Sequence, residues 1–289
     1  MGAEASVQVE EKASLHRSIS RKKSLISRWQ TRQLVSQLFG VIRHSERADG
    51  IYAFHEGDRW TSSDDFRRWP LDPPLSDAGH EEAEELGRKI QDFATHKGGK
   101  FHVVVCSPYL RCVQTAMNIC KQLGPEVRLL IDLSLGEVFG PEVLGRTQPV
   151  GHYRSVEHAA RLCRSQGVNC VFRAIGRQPV WPETLKDARR RYVLRFLSFL
   201  QRGAVTRRNF LLVTHADCVG AVLGVLPDKT NFHVEKVDYG ATILGSRPTK
   251  GSSSSPTKSR GGSCSSLGSE GSMGSYTSML PVPVEERDE

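Results

Sequence analysis

Two apolar segments of this chain each end on a histidine, and this arrangement limits the folds that the chain can adopt. Residues 38–42 lead into Arg43 and His44, and residues 210–214 lead into His215. Short runs of branched and aromatic residues are typical of strands buried in a sheet. In open α/β sheets, ligands bind in the crevice beyond the carboxyl ends of the strands. The pattern therefore predicts that two imidazoles and a guanidinium meet at one edge of a sheet.

Further apolar runs alternate with helical patterns along the chain. They predict an α/β fold with a mainly parallel central sheet flanked by helices. The predicted strands are residues 38–43, 101–106, 127–131, 210–214 and 241–245. Residues 138–182 are rich in glycine and proline, and we interpret them as a cap over the functional site.

Three helices are expected to flank this sheet. The first follows Ser76, a good N-cap, and buries one face, which carries Ala83, Leu86, Ile90 and Phe93. The second has Pro108 in its first turn, where proline is tolerated, and Arg111 beside its N-terminus. The third runs from about Glu183 to a stop near Gly203.

Composition narrows the class of protein and of partner. The chain has 289 residues, 38% hydrophobic and 25% charged, as is ordinary for a soluble domain. A net charge of +8 suits an anionic partner, such as a phosphorylated substrate or an acidic membrane surface. The arginines are not interleaved with aromatics and belong to no recognisable nucleic-acid module, which argues against nucleic acid as a partner.

Cysteine usage and the lack of long apolar spans point to the cytoplasm. The seven cysteines include no C-x-x-C pair, and we find neither a secretory segment nor a membrane-spanning run. Reduced thiols in a cytoplasmic protein are therefore expected. The histidines and cysteines lack the paired spacing of a zinc site, so neither a metal nor an organic cofactor is predicted.

The residue types at the predicted sheet edge suit phosphoryl transfer. That reaction needs a nucleophile, cations around the phosphoryl oxygens and a proton for the leaving group. A neutral imidazole can attack phosphorus, and a guanidinium matches phosphate oxygens through its planar fork. His44 is the candidate nucleophile, and the candidate phosphate ligands are Arg43, Arg47 and Arg111.

Four separated motifs make the chain resemble one family over about residues 36–245. They are Arg43-His44, Leu75-Ser76-Asp77-Ala78-Gly79, the segment from Ser107-Pro108 to Gln114-Thr115, and Thr214-His215. Together and in this order, they resemble the histidine phosphatase superfamily, also called phosphoglycerate mutase-like. The resemblance implies that a histidine is phosphorylated during the reaction.

The resemblance also implies roles for individual residues. His44 matches the histidine that becomes phosphorylated, while Arg43 and Arg111 match phosphate-binding arginines. Arg47 matches an arginine of a subgroup that includes tyrosine and steroid phosphatases. His215 matches the histidine that hydrogen-bonds to the transferring phosphoryl group.

An acidic residue after the third strand donates the proton in this family. Glu137 is the best match, and Asp132 and Glu142 are nearby alternatives. The resulting prediction is a phosphomonoesterase that forms a phosphohistidine on His44. Its substrate is a phosphoprotein, a phospholipid or a small phosphate ester.

Two departures from the family pattern keep other functions open. Ser45 and Ala216 each replace the glycine that follows a motif histidine. Each adds a side chain where the backbone approaches phosphate. They favour a catalytically weak phosphate-binding adaptor at membranes. Separately, within the family that the chain resembles, mutase-type phosphotransfer, as in phosphoglycerate mutase, is an alternative.

The termini differ in composition from the predicted phosphatase domain at residues 34–245. Residues 1–33 form a basic arm and residues 246–289 a Ser/Gly-rich tail, and both are expected to be disordered. The first six residues fit the N-myristoylation pattern, with Gly2 as the acylated residue. Because one acyl chain binds membranes only marginally, the basic arm would act as a second signal. We therefore predict peripheral attachment at the cytoplasmic face of a membrane.

Overall fold

The central sheet has the predicted α/β architecture. The computed structural model describes residues 36–50, 59–226 and 236–248. Within them, five strands lie in the order β3-β2-β4-β1-β5, and the pairs β1–β4, β2–β4 and β2–β3 are parallel. The strands are β1 (Ser36–Arg43), β2 (Val103–Cys106), β3 (Arg128–Ile131), β4 (Phe210–Thr214) and β5 (Thr242–Pro248). All five predicted strands are present, with ends that differ by at most three residues.

The register of β1 and β4 brings the two motif histidines side by side. Arg43 pairs with Thr214, so that both strands end at the same level. The backbone N–H of His44 then donates to the carbonyl of Thr214 over 2.9 Å. Both histidines therefore lie at the carboxyl edge of the sheet, as predicted.

The described part of the chain contains seven helices, of which the longer ones pack against the sheet or against each other. They are α1 (Asp64–Arg68), α2 (Asp77–His96), α3 (Leu110–Leu123), α4 (Pro141–Leu144), α5 (Val156–Ser165), α6 (Leu185–Thr206) and α7 (Ala216–Leu223), with short 3₁₀ turns at Trp60–Ser62 and Leu133–Leu135. Two apolar clusters fill the space between helices and sheet.

Helix α2 begins as its sequence predicts. The Ser76 hydroxyl accepts a hydrogen bond from the Gly79 N–H over 3.0 Å and caps the first turn. Gly79 is required there, because a Cβ atom would lie 2.2 Å from the carbonyl oxygen of Glu46. This close approach joins the start of α2 to the loop that follows β1.

The boundaries of two other helices were predicted wrongly. Pro108 lies outside α3, whose first N–H, that of Leu110, is bound by the Asp72 carboxylate over 2.6 Å. Helix α6 continues past Gly203 and ends at Thr206, and the C-cap residue Arg207 adopts a positive φ of 54°. Gly203 instead permits close packing, since a Cβ there would lie 2.2 Å from the side chain of Gln37.

The interpretation of residues 138–182 as a cap is only partly correct. Helix α5 buries Ala159, Ala160 and Cys163 in the main core, and residues 170 and 175 form bridges beside β3. That portion belongs to the body of the domain. His152 and Tyr153 instead pack on the ring of Tyr109, with centroid distances of 5.9 and 5.4 Å, next to the motif residues.

Six cysteines in the described residues are buried free thiols: Cys106, Cys112, Cys120, Cys163, Cys170 and Cys218. Burial raises the pKa of the Cys106 thiol well above its usual value. Cys106 therefore behaves as a core residue at the end of β2.

Candidate active site

His44 is held in one orientation at the end of β1. Its side chain is buried, and Nδ1 lies 2.8 Å from the carbonyl oxygen of Ser45. A carbonyl oxygen can only accept a hydrogen bond, so Nδ1 carries the proton of the neutral ring. The lone pair is therefore on Nε2, where a nucleophile needs it.

Arg111 directs its guanidinium at that lone pair from the first turn of α3. Nε donates to His44 Nε2 over 3.2 Å, and Nη2 lies 3.2 Å from Glu137 Oε2. The guanidinium also stacks over the ring of Tyr109 at 4.4 Å. The arginine is buried, so its charge acts in a poorly screened environment.

His215 and Glu137 form the opposite side of the site. The His215 ring lies 5.5 Å from that of His44, and its Nδ1 is 3.0 Å from Glu137 Oε2. Glu137 follows the 3₁₀ turn after β3, which places its carboxylate between His215 and Arg111. Four predicted site residues are thus brought together, and Arg111 contacts the other three.

The two alternative proton donors lie elsewhere. The Asp132 carboxylate accepts from the Ser134 N–H over 3.0 Å and pairs with Arg195. Glu142 is exposed in the first turn of α4. Of the three candidate acids, Glu137 is the one that contacts the motif residues.

Arg43 presents an unused donor to the site. Nη1 donates to the carbonyl of Val237, and the guanidinium lies 4.1 Å above the Tyr239 ring. Its Nε is buried without a hydrogen-bond partner in the described part of the chain. A buried donor of this kind normally has a partner, and a phosphate oxygen would supply one.

Arg47 is placed less directly. Its guanidinium binds both carboxylate oxygens of Asp49, over 2.7 and 2.8 Å. Within residues 36–50, 59–226 and 236–248, we find no hydrogen bond from Arg47 to the other predicted site residues. Burial lowers the pKa of Arg43, and the charge of Arg47 lowers it further, so the two guanidiniums act on the same region.

Electrostatics set the protonation states of the site. Burial lowers the pKa of both His44 and His215; Arg111 adds to this effect, whereas Glu137 opposes it at His215. Burial alone would raise the pKa of Glu137, but attraction to His215 and Arg111 outweighs it and lowers that pKa well below its usual value. At neutral pH the free site therefore holds two neutral imidazoles, a carboxylate and charged arginines.

Two hydroxyl groups hold the site and were not predicted to do so. Ser107 Oγ lies 2.8 Å from His215 Nε2, the ring nitrogen that does not contact Glu137. Thr115 Oγ1 accepts from the backbone N–H of Ser45 over 3.1 Å, which fixes the loop after His44. Both belong to a motif recognised in the sequence, whose polar positions were the available signal.

A buried ion pair also supports the arginine helix, and no sequence signal marks it. The Asp72 carboxylate binds the Leu110 N–H at the start of α3 and Arg154 Nη1, the latter over 2.9 Å. Arg154 is remote in sequence from Asp72 and lies in the cap segment. The pair joins the cap to the turn that presents Arg111.

The two residues that replace family glycines are accommodated without disrupting the elements. Ser45 is fully buried and its backbone is held by Thr115, while Ala216 begins α7 directly after His215.

Among the described residues, no group of three or more His, Cys, Asp or Glu side chains is placed to hold a metal ion. Helices in the same ranges are too short or too polar to cross a membrane. Gly2, residues 1–33 and residues 249–289 of the tail lie outside the described residues, so those predictions stand as they were, whereas residues 246–248, which were predicted as tail, belong to β5.

Comparison with known proteins identifies the family. The model of the histidine phosphatase superfamily (branch 1) matches residues 42–242. The chain belongs to this superfamily. That assignment confirms the resemblance read from the four motifs.

The proteins whose sequences match this chain include an enzyme of one name and a multidomain protein of another. The 2,3-bisphosphoglycerate-dependent phosphoglycerate mutase of Mesorhizobium japonicum is 23% identical over 190 residues, which cover 65% of this chain and 86% of that protein. The mouse ubiquitin-associated and SH3 domain-containing protein A is 33% identical over 129 residues, 43% of this chain and 20% of that protein. The chain thus matches one fifth of the mouse protein's length.

A solved structure shows the same fold. The ecdysone phosphate phosphatase of Bombyx mori, crystallised with tungstate, superimposes with a TM-score of 0.53 at 19% identity. The match covers 79% of this chain and 98% of that chain. The α/β fold of the histidine phosphatase superfamily therefore accounts for most of this chain.

Proposed function

We propose that the protein is a phosphomonoesterase that acts through a phosphohistidine on His44. One observation carries the proposal. The buried His44 ring donates from Nδ1 to the Ser45 carbonyl, so that Nε2 offers its lone pair beside Arg111. A neutral imidazole with a fixed lone pair next to cationic donors is suited to attack phosphorus.

The first step transfers the phosphoryl group to the protein. His44 Nε2 attacks phosphorus, the bond to the ester oxygen breaks, and the leaving oxygen takes a proton from Glu137. The N–H groups of Arg111 and Arg43 bind the phosphoryl oxygens, and Arg111 exchanges its contact with His44 for one of these. The phosphorylated ring is cationic, and its Nδ1–H stays bonded to the Ser45 carbonyl.

The second step releases phosphate. The Glu137 carboxylate accepts a proton from a water molecule, whose oxygen attacks phosphorus and breaks the P–N bond. Inorganic phosphate leaves, and His44 returns to its neutral form. The same residue thus serves as acid and then as base.

The ionised state of Glu137 in the free site requires a source for the first proton. A phosphate monoester has its second pKa near about 6 and binds as a monoanion below that pH. Such a substrate carries the proton that Glu137 needs. We therefore expect kcat/KM to fall as pH rises above about 6, because the monoanion is lost.

The test compares hydrolysis of p-nitrophenyl phosphate by the full chain and by His44→Ala, with EDTA present. We expect the variant to lose activity and the acid-labile phosphoryl label that quenched wild-type protein carries. His80→Ala is the matched control, since His80 is a half-buried histidine on α2 that contacts Asn118 instead. Equal activity of wild type and His44→Ala would contradict the proposal.

Two other functions are separated by the same protein samples. The similarity to phosphoglycerate mutases supports mutase-type transfer as the second candidate, which a coupled assay for interconversion of 2- and 3-phosphoglycerate detects. The adaptor hypothesis rests on Ser45 and Ala216. Binding of a phosphorylated ligand without turnover would support it against the phosphatase.

The proposal extends to where the substrate is met. An acylated Gly2 together with the basic arm would place the site near the cytoplasmic face of a membrane, and a screen would include phosphoproteins, phospholipids and small phosphate esters. Flotation with anionic liposomes, comparing acylated wild type with Gly2→Ala, tests this attachment. Equal recovery of both proteins with the liposomes would contradict it.

A further inference from the structure

Ser107 is a buried hydroxyl in contact with the active site, and the mechanism above does not use it. It follows β2 directly, is fully buried, and its backbone N–H donates to the Val213 carbonyl over 3.0 Å. Its Oγ lies 2.8 Å from Nε2 of His215, which is itself buried. The sheet therefore holds this hydroxyl at a fixed position against the imidazole.

The two ring nitrogens of His215 face different partners. Nδ1 lies 3.0 Å from Glu137 Oε2, which as a carboxylate only accepts, and 3.4 Å from Arg111 Nη2, which only donates. The shorter contact favours Nδ1–H and the longer one favours a bare Nδ1. The group at Nε2 therefore contributes to which tautomer is populated.

Ser107 favours the tautomer with the proton on Nδ1. When its hydroxyl donates to Nε2, both atoms are satisfied. If it accepted from an Nε2–H instead, its own hydrogen would have the thiol of Cys112 as its partner, a weak acceptor that contacts Ser107 and whose Sγ also lies 3.8 Å from His215 Nε2. The arrangement in which Ser107 donates therefore has the better hydrogen bonds.

We propose that Ser107 is a positioning residue whose hydroxyl holds His215 as its Nδ1–H tautomer. The inference rests on the proposed phosphatase function. With the phosphoryl group bound beside His44, Nδ1–H donates to a phosphoryl oxygen as charge develops there. Without Ser107, part of the population presents a lone pair to that oxygen, which repels it.

The experiment combines kinetics with the nitrogen spectrum of the imidazole in the full chain. For Ser107→Ala we expect kcat on p-nitrophenyl phosphate to fall about tenfold, the size of one hydrogen bond, while KM changes less than about twofold. Long-range ¹H–¹⁵N spectra should show His215 protonated at Nδ1 in the wild type and mixed in the variant. Ser107→Cys, nearly the same size with a weak donor, should give intermediate values for both.

A matched control separates tautomer from packing. Ser76 is also a buried serine with a hydrogen-bonded hydroxyl, but it caps α2 and binds Glu46. Ser76→Ala should lower stability and leave the His215 spectrum unchanged.

If Ser107→Ala keeps both the kcat and the spectrum of the wild type, the inference fails. If Ser107→Ala does not fold, Ser107→Cys with wild-type values overturns it equally. An inactive wild type would contradict the proposed function alone, because the spectra test the tautomer without turnover.

Discussion

Replacing Glu137 with glutamine removes the group that protonates the leaving oxygen in the proposed mechanism. Glutamine has nearly the same shape and keeps an oxygen for Arg111, but it gives up no proton at neutral pH. Proton donation by a positioned side chain contributes about 10²–10⁴-fold. For an alkyl phosphate, whose alkoxide must be protonated, we therefore expect kcat to fall about 10³-fold. For p-nitrophenyl phosphate, whose phenolate is a stable anion, the fall should stay below about tenfold.

The charge of Glu137 also affects binding. Its Oε2 lies 3.2 Å from Arg111 Nη2, the group that would bind a phosphoryl oxygen. A carboxylate and a phosphoryl charge sharing that cation at about 4 Å repel by about 4 kcal/mol at an effective dielectric constant of about 20. That energy equals a rise of about three pKa units for Glu137 in the complex. Because glutamine has no charge, we expect the variant to bind the substrate dianion more tightly and to show a lower KM.

The assay measures kcat and KM for both esters between about pH 5 and 8, a range that includes the second pKa of a phosphate monoester. Glu142→Gln is the control, since Glu142 is exposed and close in sequence. Equal losses on the two esters would refute proton donation by Glu137. A higher KM in Glu137→Gln would refute the repulsion argument.

Three further predictions follow from single contacts. If Arg47 leaves Asp49 to bind the substrate, Arg47→Ala should raise KM about tenfold, which is roughly the loss of one charged hydrogen bond, and Asp49→Ala should lower KM. Small effects on KM that are similar for the two variants would show that the pair is structural. Gly79→Ala should lower the free energy of unfolding by about 1–3 kcal/mol in urea titrations, because the new Cβ would lie 2.2 Å from the backbone oxygen of Glu46. Gly220→Ala adds its Cβ in open space and should not destabilise the protein, so equal effects of the two variants would contradict this reasoning. Burial lowers the pKa of His152 to about 4, so the unfolded chain binds the extra proton first, and stability is lost as pH falls from about 6.5 towards 4. His152→Phe should therefore reduce the drop in Tm between pH 7 and 5, and an unchanged drop would refute His152 as the cause.

The sequence was sufficient for the parts of the site that depend on strand ends. Residues 38–42 and 210–214 could be recognised as buried strands, and parallel pairing then places His44 and His215 at one edge. Arg111 was predictable because helix α3 follows a strand that ends at the same edge. These positions follow from local pattern and from the geometry of parallel sheets.

Contacts between remote loops could not be predicted in this way. Asp72 and Arg154 meet because two irregular segments pack together, and neither segment has a periodic pattern. The choice of Glu137 over Asp132 depended on the direction of one 3₁₀ turn. Helix α6 extends past Gly203 for a tertiary reason, since the glycine makes room for Gln37. Packing decides each of these contacts; for the acid, only the family resemblance had already favoured Glu137.

The pairing of β1 with β4 ties chemical competence to completion of the fold. Their paired residues, such as Phe39 and Phe210, are 171 positions apart in the chain. Contacts of such long sequence separation form late, because the intervening loop must close first. A chain emerging from the ribosome therefore holds one histidine and its arginines long before the second histidine arrives. Under the proposed function, turnover therefore reports a finished sheet, and a partly synthesised or half-opened form should not consume phosphate esters.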